Sequence, residues 1–336
     1  MHYMNILITG AAGFIGSHLA EKLLAEGHRI VGLDSFDNFY SPQIKKNNLA
    51  IANQNPHYTF IQGDVLDAKT LEKIFRKNHF DWVIHLAAKV GVRSSLDKPL
   101  EYANTNINGT LNVLEQARKT EVKNFILASS SSVYGATSQI PFTENDICQE
   151  QLSPYGVSKK IAELYCYVFH KVYQINIACL RFFTVYGPRQ RPDMAIRQFT
   201  KLIETHQTLS LYGSGQSQRD YTYIDDIVKG IMNTIKYHQG FEIYNLGNSQ
   251  TISLSALVSL LEKSLGKKAK IKKLPMQAGD LPRTWADISK AQKLLHYQPK
   301  TDIKEGIKKF IQWYRKAKSM PRTKAKLLVR GEKRKT

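Results

Sequence analysis

Tyr155 and Lys159, in the run Tyr155-Gly156-Val157-Ser158-Lys159, stand at the start of a helical stretch and share one face, one turn apart. A tyrosine titrates near pKa ~10 in water and is a poor base at neutral pH. An ammonium one turn away stabilises the phenolate and draws that value toward the working pH, which makes the pair a candidate acid/base for one substrate hydroxyl. Ser130 follows a fifth strand-like run, Asn124–Ala128, and could hold the same oxygen by a hydrogen bond while its proton leaves. Tyr-x-x-x-Lys alone is common as a surface helix pair, so its meaning rests on what else stands in order along the chain.

Gly10-Ala11-Ala12-Gly13-Phe14-Ile15-Gly16 lies directly after a first strand-like run, Asn5–Thr9, and opens a helical stretch. A helix N-terminus presents unpaired N–H groups and partial positive charge, and glycines let a pyrophosphate approach the backbone. The second strand-like run ends at Asp34, where a carboxylate can accept both ribose hydroxyls and repel a 2′-phosphate; NAD is therefore expected over NADP. Asp64 and Val65 after the third strand fall beside the adenine, and Ala87 and Ala88 after the fourth let the cofactor lie against the sheet end. Lys89, Phe182, Tyr155 and Lys159 complete the expected cofactor wall.

These side chains need a scaffold that brings successive strand ends together. Strand-like runs at Asn5–Thr9, Arg29–Asp34, Thr59–Gln62, Trp82–His85, Asn124–Ala128 and Asn176–Phe182 alternate with amphipathic stretches at Ile15–Ala25, Ala68–Arg76, Leu111–Arg118 and Lys159–Tyr173. That alternation predicts an α/β fold, a Rossmann-type doubly wound parallel sheet with a smaller C-terminal substrate-binding lobe. Residues 1–183 form the expected nucleotide domain, rejoined by 220–247, with 184–219 and 248–316 as the lobe. Helices are expected at Ala195–Thr205, Leu254–Ser264 and Ile303–Tyr314, and a turn at Gly213–Gly215.

A net charge of +20 over 336 residues needs a source. Residues 317–336 carry eight Lys or Arg against one Glu and read as a basic, disordered tail that could touch anionic surfaces, a solvated tail being the plainer alternative. The remaining excess suits a pocket for an anionic ligand, and no specific nucleic-acid partner is expected. No apolar run approaches a membrane span, and Met1–Gly10 leaves no room for a leader, so the expected location is cytoplasmic. Three cysteines, Cys148, Cys166 and Cys179, read as buried thiols in a reducing compartment. The ten histidines show no metal-ligand spacing, His85 reads as a core residue, and no metal is expected. A serine-hydrolase elbow and a phosphate-binding loop ending in Gly-Lys-Ser/Thr are both missing from the sequence.

From about Asn5 to Tyr314 the chain resembles the extended short-chain dehydrogenase/reductases, in particular the nucleotide-sugar epimerase/dehydratase family. The resemblance is carried by the glycine spacing, the Tyr-Lys motif, Ser129-Ser130-Ser131-Ser132-Val133-Tyr134-Gly135, Arg181-Phe182-Phe183-Thr184-Val185-Tyr186-Gly187-Pro188, Arg191-Pro192-Asp193-Met194 and the segment from Arg219 to Asp226. The second and third of these four segments are similar to the UDP-glucuronate 4-epimerases. This implies NAD-dependent epimerisation at C4 of a UDP-sugar through a transient 4-keto intermediate, most like UDP-glucuronate to UDP-galacturonate for polysaccharide synthesis, with Ser130, Tyr155 and Lys159 as the catalytic set. Related 4,6-dehydratases place Asp and Glu after the catalytic hydroxyl, and glucuronate decarboxylases place a Glu. Here those positions are Ser131 and Ser132.

The resemblance further implies that Ser131, Ser132 and Thr184 hold the sugar carboxylate, and that Arg219 and Asp280 meet the UDP. Arg191 is either a substrate contact or a structural ion pair, and Arg93 either reaches the substrate or is solvated. Helices Thr110–Arg118 and Ile161–Tyr173, apolar over more than one face, suggest a homodimer through a four-helix interface of the family's kind. The alternatives are a 4-epimerase for UDP-glucose or UDP-N-acetylglucosamine, whose members commonly have Asn where Thr184 stands, and a non-catalytic NAD-binding regulator.

Overall fold

Runs such as Ile6-Leu7-Ile8, Trp82-Val83-Ile84 and Phe125-Ile126-Leu127 have no polar side, so as strands they must be covered on both faces. The computed structural model describes residues 3–136, 139–275 and 281–319. Its strands are β1 (Asn5–Thr9), β2 (Arg29–Asp34), β3 (Tyr58–Gln62), β4 (Trp82–His85), β5 (Asn124–Ser130), β6 (Asn176–Phe182), β7 (Thr184–Tyr186), β8 (Thr208–Tyr212), β9 (Gln218–Tyr223), β10 (Phe241–Leu246), β11 (Thr251–Ser253), β12 (Lys270–Leu274) and β13 (Arg283–Thr284). Seven of them form one parallel sheet in the order β10-β6-β5-β4-β1-β2-β3.

Successive residues of a strand point to opposite faces, and the two apolar clusters divide accordingly. Ile6, Ile8, Ile84, Ile126, Ala178 and Leu180 belong to one; Leu7, Val83, Phe125, Leu127, Ile177 and Cys179 belong to the other. The chain runs β1 to β3 in one direction, then crosses to β4 and continues the other way. Strand order therefore reverses at β1 and β4, and the crevice outside their carboxyl ends is where such sheets bind ligands.

A second lobe is built from a small sheet in which β9 pairs with β7, β11 and β13, and from the β8–β12 pair. Helices Ala195–Glu204, Leu254–Leu265 and Ile303–Ser319 pack beside them. β9 lies wholly in this small sheet, so the return to the nucleotide domain starts at helix Ile224–Tyr237, not at residue 220. That helix packs on Phe14–Ala25 and leads into β10 at the sheet edge. The last helix continues past Tyr314 to Ser319; in this extension Arg315 pairs with Glu204 and the Lys318 ammonium lies 5.3 Å from the Tyr314 ring centroid. The segment 320–336 of the expected tail lies outside the described residues.

Candidate active site

A cavity of about 450 Å³ opens at the carboxyl ends of β1, β2, β4, β5 and β6. Every expected cofactor residue from Gly10 to Phe182 lines it, as do Ser130, Tyr155 and Lys159, with Ser131, Ser132, Thr184 and Arg191. Gly10 has φ +70°, and a Cβ there would lie 2.8 Å from the Ala87 amide nitrogen. A Cβ on Gly16 would lie 2.3 Å from the Gly10 carbonyl oxygen. Only glycine closes this turn onto the β4 exit, and the cradle it leaves at the N-terminus of Phe14–Ala25 suits a pyrophosphate. Asp34, buried at the end of β2, accepts the Ala12 N–H at 3.1 Å on Oδ2 and the Phe36 N–H at 2.9 Å on Oδ1. Each oxygen retains acceptor capacity for a ribose hydroxyl. The residues present fit NAD.

The three expected catalytic residues are set by one helix start and one strand end. Ser153-Pro154 opens helix Pro154–Tyr173: the Ser153 hydroxyl accepts the Gly156 N–H at 3.1 Å, and Pro154 takes the first turn. Tyr155 and Lys159 follow on the cavity side. Ser130 accepts the Ser132 N–H at 3.1 Å and hydrogen-bonds the Tyr155 phenol. Burial raises the Tyr155 pKa, opposed by Ser130 and by the positive charge of Arg191. Burial lowers Lys159 to about 8, offset in part by Cys166 and Glu163, and its Nζ donates to the Ala128 carbonyl at 2.8 Å. The chain's own residues thus hold Tyr155 as a phenol, with Lys159 as a nearby proton-titrating amine.

Lys159 also supplies a test of cost. Its folded pKa lies below the unfolded value near 10.5, so between about pH 8 and 10.5 the unfolded chain binds more protons and stability rises with pH. Below pH 8 the full penalty, about 3 kcal/mol by the pKa difference, is present. Lys159→Met should therefore be at least as stable as the parent at pH 7, with its advantage shrinking toward pH 10.5, while turnover is lost. Urea midpoints across that range check it, and a variant much less stable at pH 7 would contradict it.

Arg191 is both a cavity wall and an ion pair. It grips Asp193 with Nε at 3.1 Å and Nη2 at 2.8 Å, and its guanidinium lies 5.8 Å from the Phe39 ring centroid. Lys89 bonds Asp37 at 3.0 Å and Glu101 at 3.2 Å, and its backbone is fixed by Asn106. His85 is a core residue, between Thr9 at 2.7 Å and Thr110 at 3.0 Å, and burial lowers its pKa to about 3.

Two expected substrate contacts are not among the residues lining this cavity. Gly91 and Val92 reach the cavity, but the helix Val92–Asp97 turns the next residue, Arg93, away, and its guanidinium sits 4.8 Å over the Tyr212 ring. Arg219 lies on β9 opposite Ile252, and its Nη1 donates to the Gln218 carbonyl at 2.9 Å. Next to it on β9, Asp220 is fully buried, and its carboxylate accepts the Asn248, Ser249 and Ala286 N–H groups and the Thr222 hydroxyl. Burial nevertheless pushes its pKa up to about 6. Asp280 lies outside the described residues. Sequence reasoning missed Asp37, Phe39, Tyr40, Lys45 and Met194, all lining the cavity. The one available signal was Ser41-Pro42, a helix start that places Lys45 one turn in.

The family described as GDP-mannose 4,6-dehydratase matches residues 7–310. A UDP-glucuronate 4-epimerase from Thermodesulfobacterium geofontis is 42% identical over 308 residues, covering 91% of this chain and 95% of its own. A UDP-glucuronic acid 4-epimerase from Bacillus cereus, solved with UDP-glucuronic acid and NAD, superposes with TM-score 0.88 at 38% identity over 94% of this chain and 100% of its own. A UDP-glucose 4-epimerase from Thermotoga maritima, solved with UDP-glucose, gives TM-score 0.87 at 32% identity over 94% and 100%. The chain belongs to the GDP-mannose 4,6-dehydratase family of nucleotide-sugar-modifying extended short-chain dehydrogenases, and is most like its UDP-glucuronate 4-epimerase members.

Proposed function

We propose that this chain interconverts UDP-glucuronate and UDP-galacturonate by epimerisation at C4, with NAD as resident cofactor. One observation carries this: Ser130, Tyr155 and Lys159 face the same cavity as the glycine cradle, and the two positions after Ser130 are hydroxyls. One proton site is provided, and no carboxylate follows it to drive elimination. NAD bound in the cradle supplies reversible hydride acceptance from C4. Tyr155 Oη takes the O4 proton while Ser130 holds that oxygen, and returns it when the carbon is reduced on its other face. Lys159, charged below about pH 8, favours the phenolate form during this exchange.

The 4-keto form of glucuronate is a β-keto acid that loses CO₂ if its carboxylate bond overlaps the carbonyl π system. Ser131, Ser132 and Thr184 hold the carboxylate near the carbonyl plane and deny that overlap. Thr184→Ala or Ser132→Ala should release more CO₂ per UDP-galacturonate formed, or lower glucuronate turnover. Unchanged CO₂ release and turnover in both would remove this role.

The function itself is tested by incubating purified protein with UDP-glucuronate and NAD and separating UDP-sugars by chromatography, with UDP-glucose and UDP-N-acetylglucosamine in parallel. UDP-galacturonate alone, without accumulated NADH, is expected. Conversion of only a neutral sugar would keep the mechanism and reject the carboxylate assignment; nucleotide binding without any conversion would favour the regulator.

Helix Pro154–Tyr173 buries Lys159, Ala162, Glu163, Cys166 and Phe169 but leaves Leu164, Tyr165, Tyr167, Val168 and Val172 exposed, with Leu100 83% exposed nearby. An apolar face of this extent favours a second copy of the chain as its cover. Light scattering should give a dimer mass. Three buried free thiols support a reducing, cytoplasmic setting. No helix among the described residues is long and apolar enough to cross a membrane. The basic segment beyond the last helix is left as a contact for anionic surfaces.

A further inference from the structure

Lys45 has no part in the C4 chemistry, yet it is buried in the cavity wall. It stands on helix Pro42–Asn48 with its side chain 10% exposed, its Nζ 3.6 Å from Asp34 Oδ1 and 5.2 Å from the Tyr40 ring centroid. Asp34 cannot turn away from it, because the Ala12 and Phe36 N–H groups fix both carboxylate oxygens. Asn48, one turn further along the same helix, donates to the Ala12 carbonyl at 3.0 Å and ties the helix to the glycine turn. The lysine is thus built into the ribose end of the site.

A carboxylate at this strand end excludes a 2′-phosphate by charge and selects ribose hydroxyls by hydrogen bonds, whereas a cation there accommodates the phosphate. Both are present here, within ion-pair distance. We propose that Lys45 is a specificity-determining residue, so that the Asp34–Lys45 pair, rather than Asp34 alone, sets the choice between NAD and NADP. Lys45 cancels much of the repulsion Asp34 would exert, and selectivity for NAD then rests on the hydrogen bonds Asp34 offers to the ribose. Removing Lys45 leaves a net negative site and sharpens the preference for NAD. Removing the Asp34 carboxylate leaves a buried ammonium that a 2′-phosphate would pair with, so one substitution separates this site from NADP use. The inference rests on the cavity being the NAD site.

The test is calorimetric titration of nucleotide-stripped protein with NAD and with NADP, the melting temperature of each variant being recorded. Lys45→Met and Lys45→Gln should each raise the parent's NAD-over-NADP affinity ratio by about tenfold, the scale set by one unit charge close to a phosphate. Asp34→Ser should reverse the preference in favour of NADP. The double variant Asp34→Ser/Lys45→Met removes both buried charges together, which favours folding, and should lose the gain in NADP affinity. An unchanged ratio in the Lys45 variants, or a double variant that binds NADP as tightly as Asp34→Ser, overturns the proposal. A parent that binds neither nucleotide overturns the cofactor assignment itself, a separate outcome.

Discussion

Tyr155→Phe should lower kcat for C4 epimerisation by about 10²–10⁴-fold, the range over which a positioned acid/base contributes, while leaving nucleotide affinity and melting temperature close to the parent's. The phenyl ring keeps its place: Tyr155 meets the Tyr102 ring edge-on at 6.1 Å, a contact that phenylalanine preserves. What is lost is the oxygen that hydrogen-bonds Ser130 and would carry the O4 proton. Because burial raises the Tyr155 pKa, the parent should gain activity as pH rises toward about 8, above which Lys159 loses the charge that favours the phenolate, and Arg191→Leu should lower activity on this limb by removing a second charge that favours it. The measurements are kcat and KM across pH, with calorimetric NAD affinity beside them. Retained turnover in Tyr155→Phe would transfer the proton role to another cavity group. A loss confined to KM would make the phenol a binding group only.

The scaffold and the residues of the cavity wall were legible because their physical requirements leave local marks. Strands buried on both faces read as unbroken apolar runs, and the cradle needs glycine at Gly10 and Gly16, where a Cβ would strike backbone. The second lobe left weaker marks. β7 and β13 are three and two residues long, and the parallel pairing of β8 with β12 joins segments some sixty residues apart; no local period encodes that. That Arg93 and Arg219 do not line the cavity has the same kind of origin. Arg93 is one residue past the cavity-lining Val92, and a single step along a helix turns a side chain by about 100°. In Arg219-Asp220-Tyr221 burial begins at Asp220, which ties three loop amides and is followed by three more buried residues, while Arg219 stays half-buried; no alternating pattern marks that boundary. Nothing local in the sequence separates Lys45 from Lys46, and only the packed helix shows that the first is buried beside Asp34.

The second large effect lies beneath the strand end that carries Ser130. Glu163, one turn after Lys159 on helix Pro154–Tyr173, takes both Nε at 2.9 Å and Nη2 at 2.8 Å from Arg181 on β6, and both side chains are almost wholly buried. Although burial opposes the charge, the bonds from Glu163 raise the Arg181 pKa. The Ser129 hydroxyl donates to the same carboxylate at 2.5 Å, one residue before Ser130, and the Arg181 guanidinium lies 4.8 Å over the Tyr134 ring. The pair therefore clamps the helix that carries Tyr155 and Lys159 to the two strands that carry Ser130 and Phe182. Glu163→Leu or Arg181→Met alone leaves one uncompensated buried charge and should destabilise by about 3–5 kcal/mol. Glu163→Leu/Arg181→Met removes both charges and should recover most of that loss. If the clamp only stabilised, the double variant would recover turnover along with its denaturation midpoint. If it positions Ser130 through Ser129, the double variant refolds but kcat stays low with little change in NAD affinity, because the Ser129 hydroxyl has lost its acceptor. The geometry favours the second outcome: the carboxylate that neutralises Arg181 is the one that orients the residue next to Ser130. Singles as stable as the parent would show that the helix and strands are held by apolar packing alone.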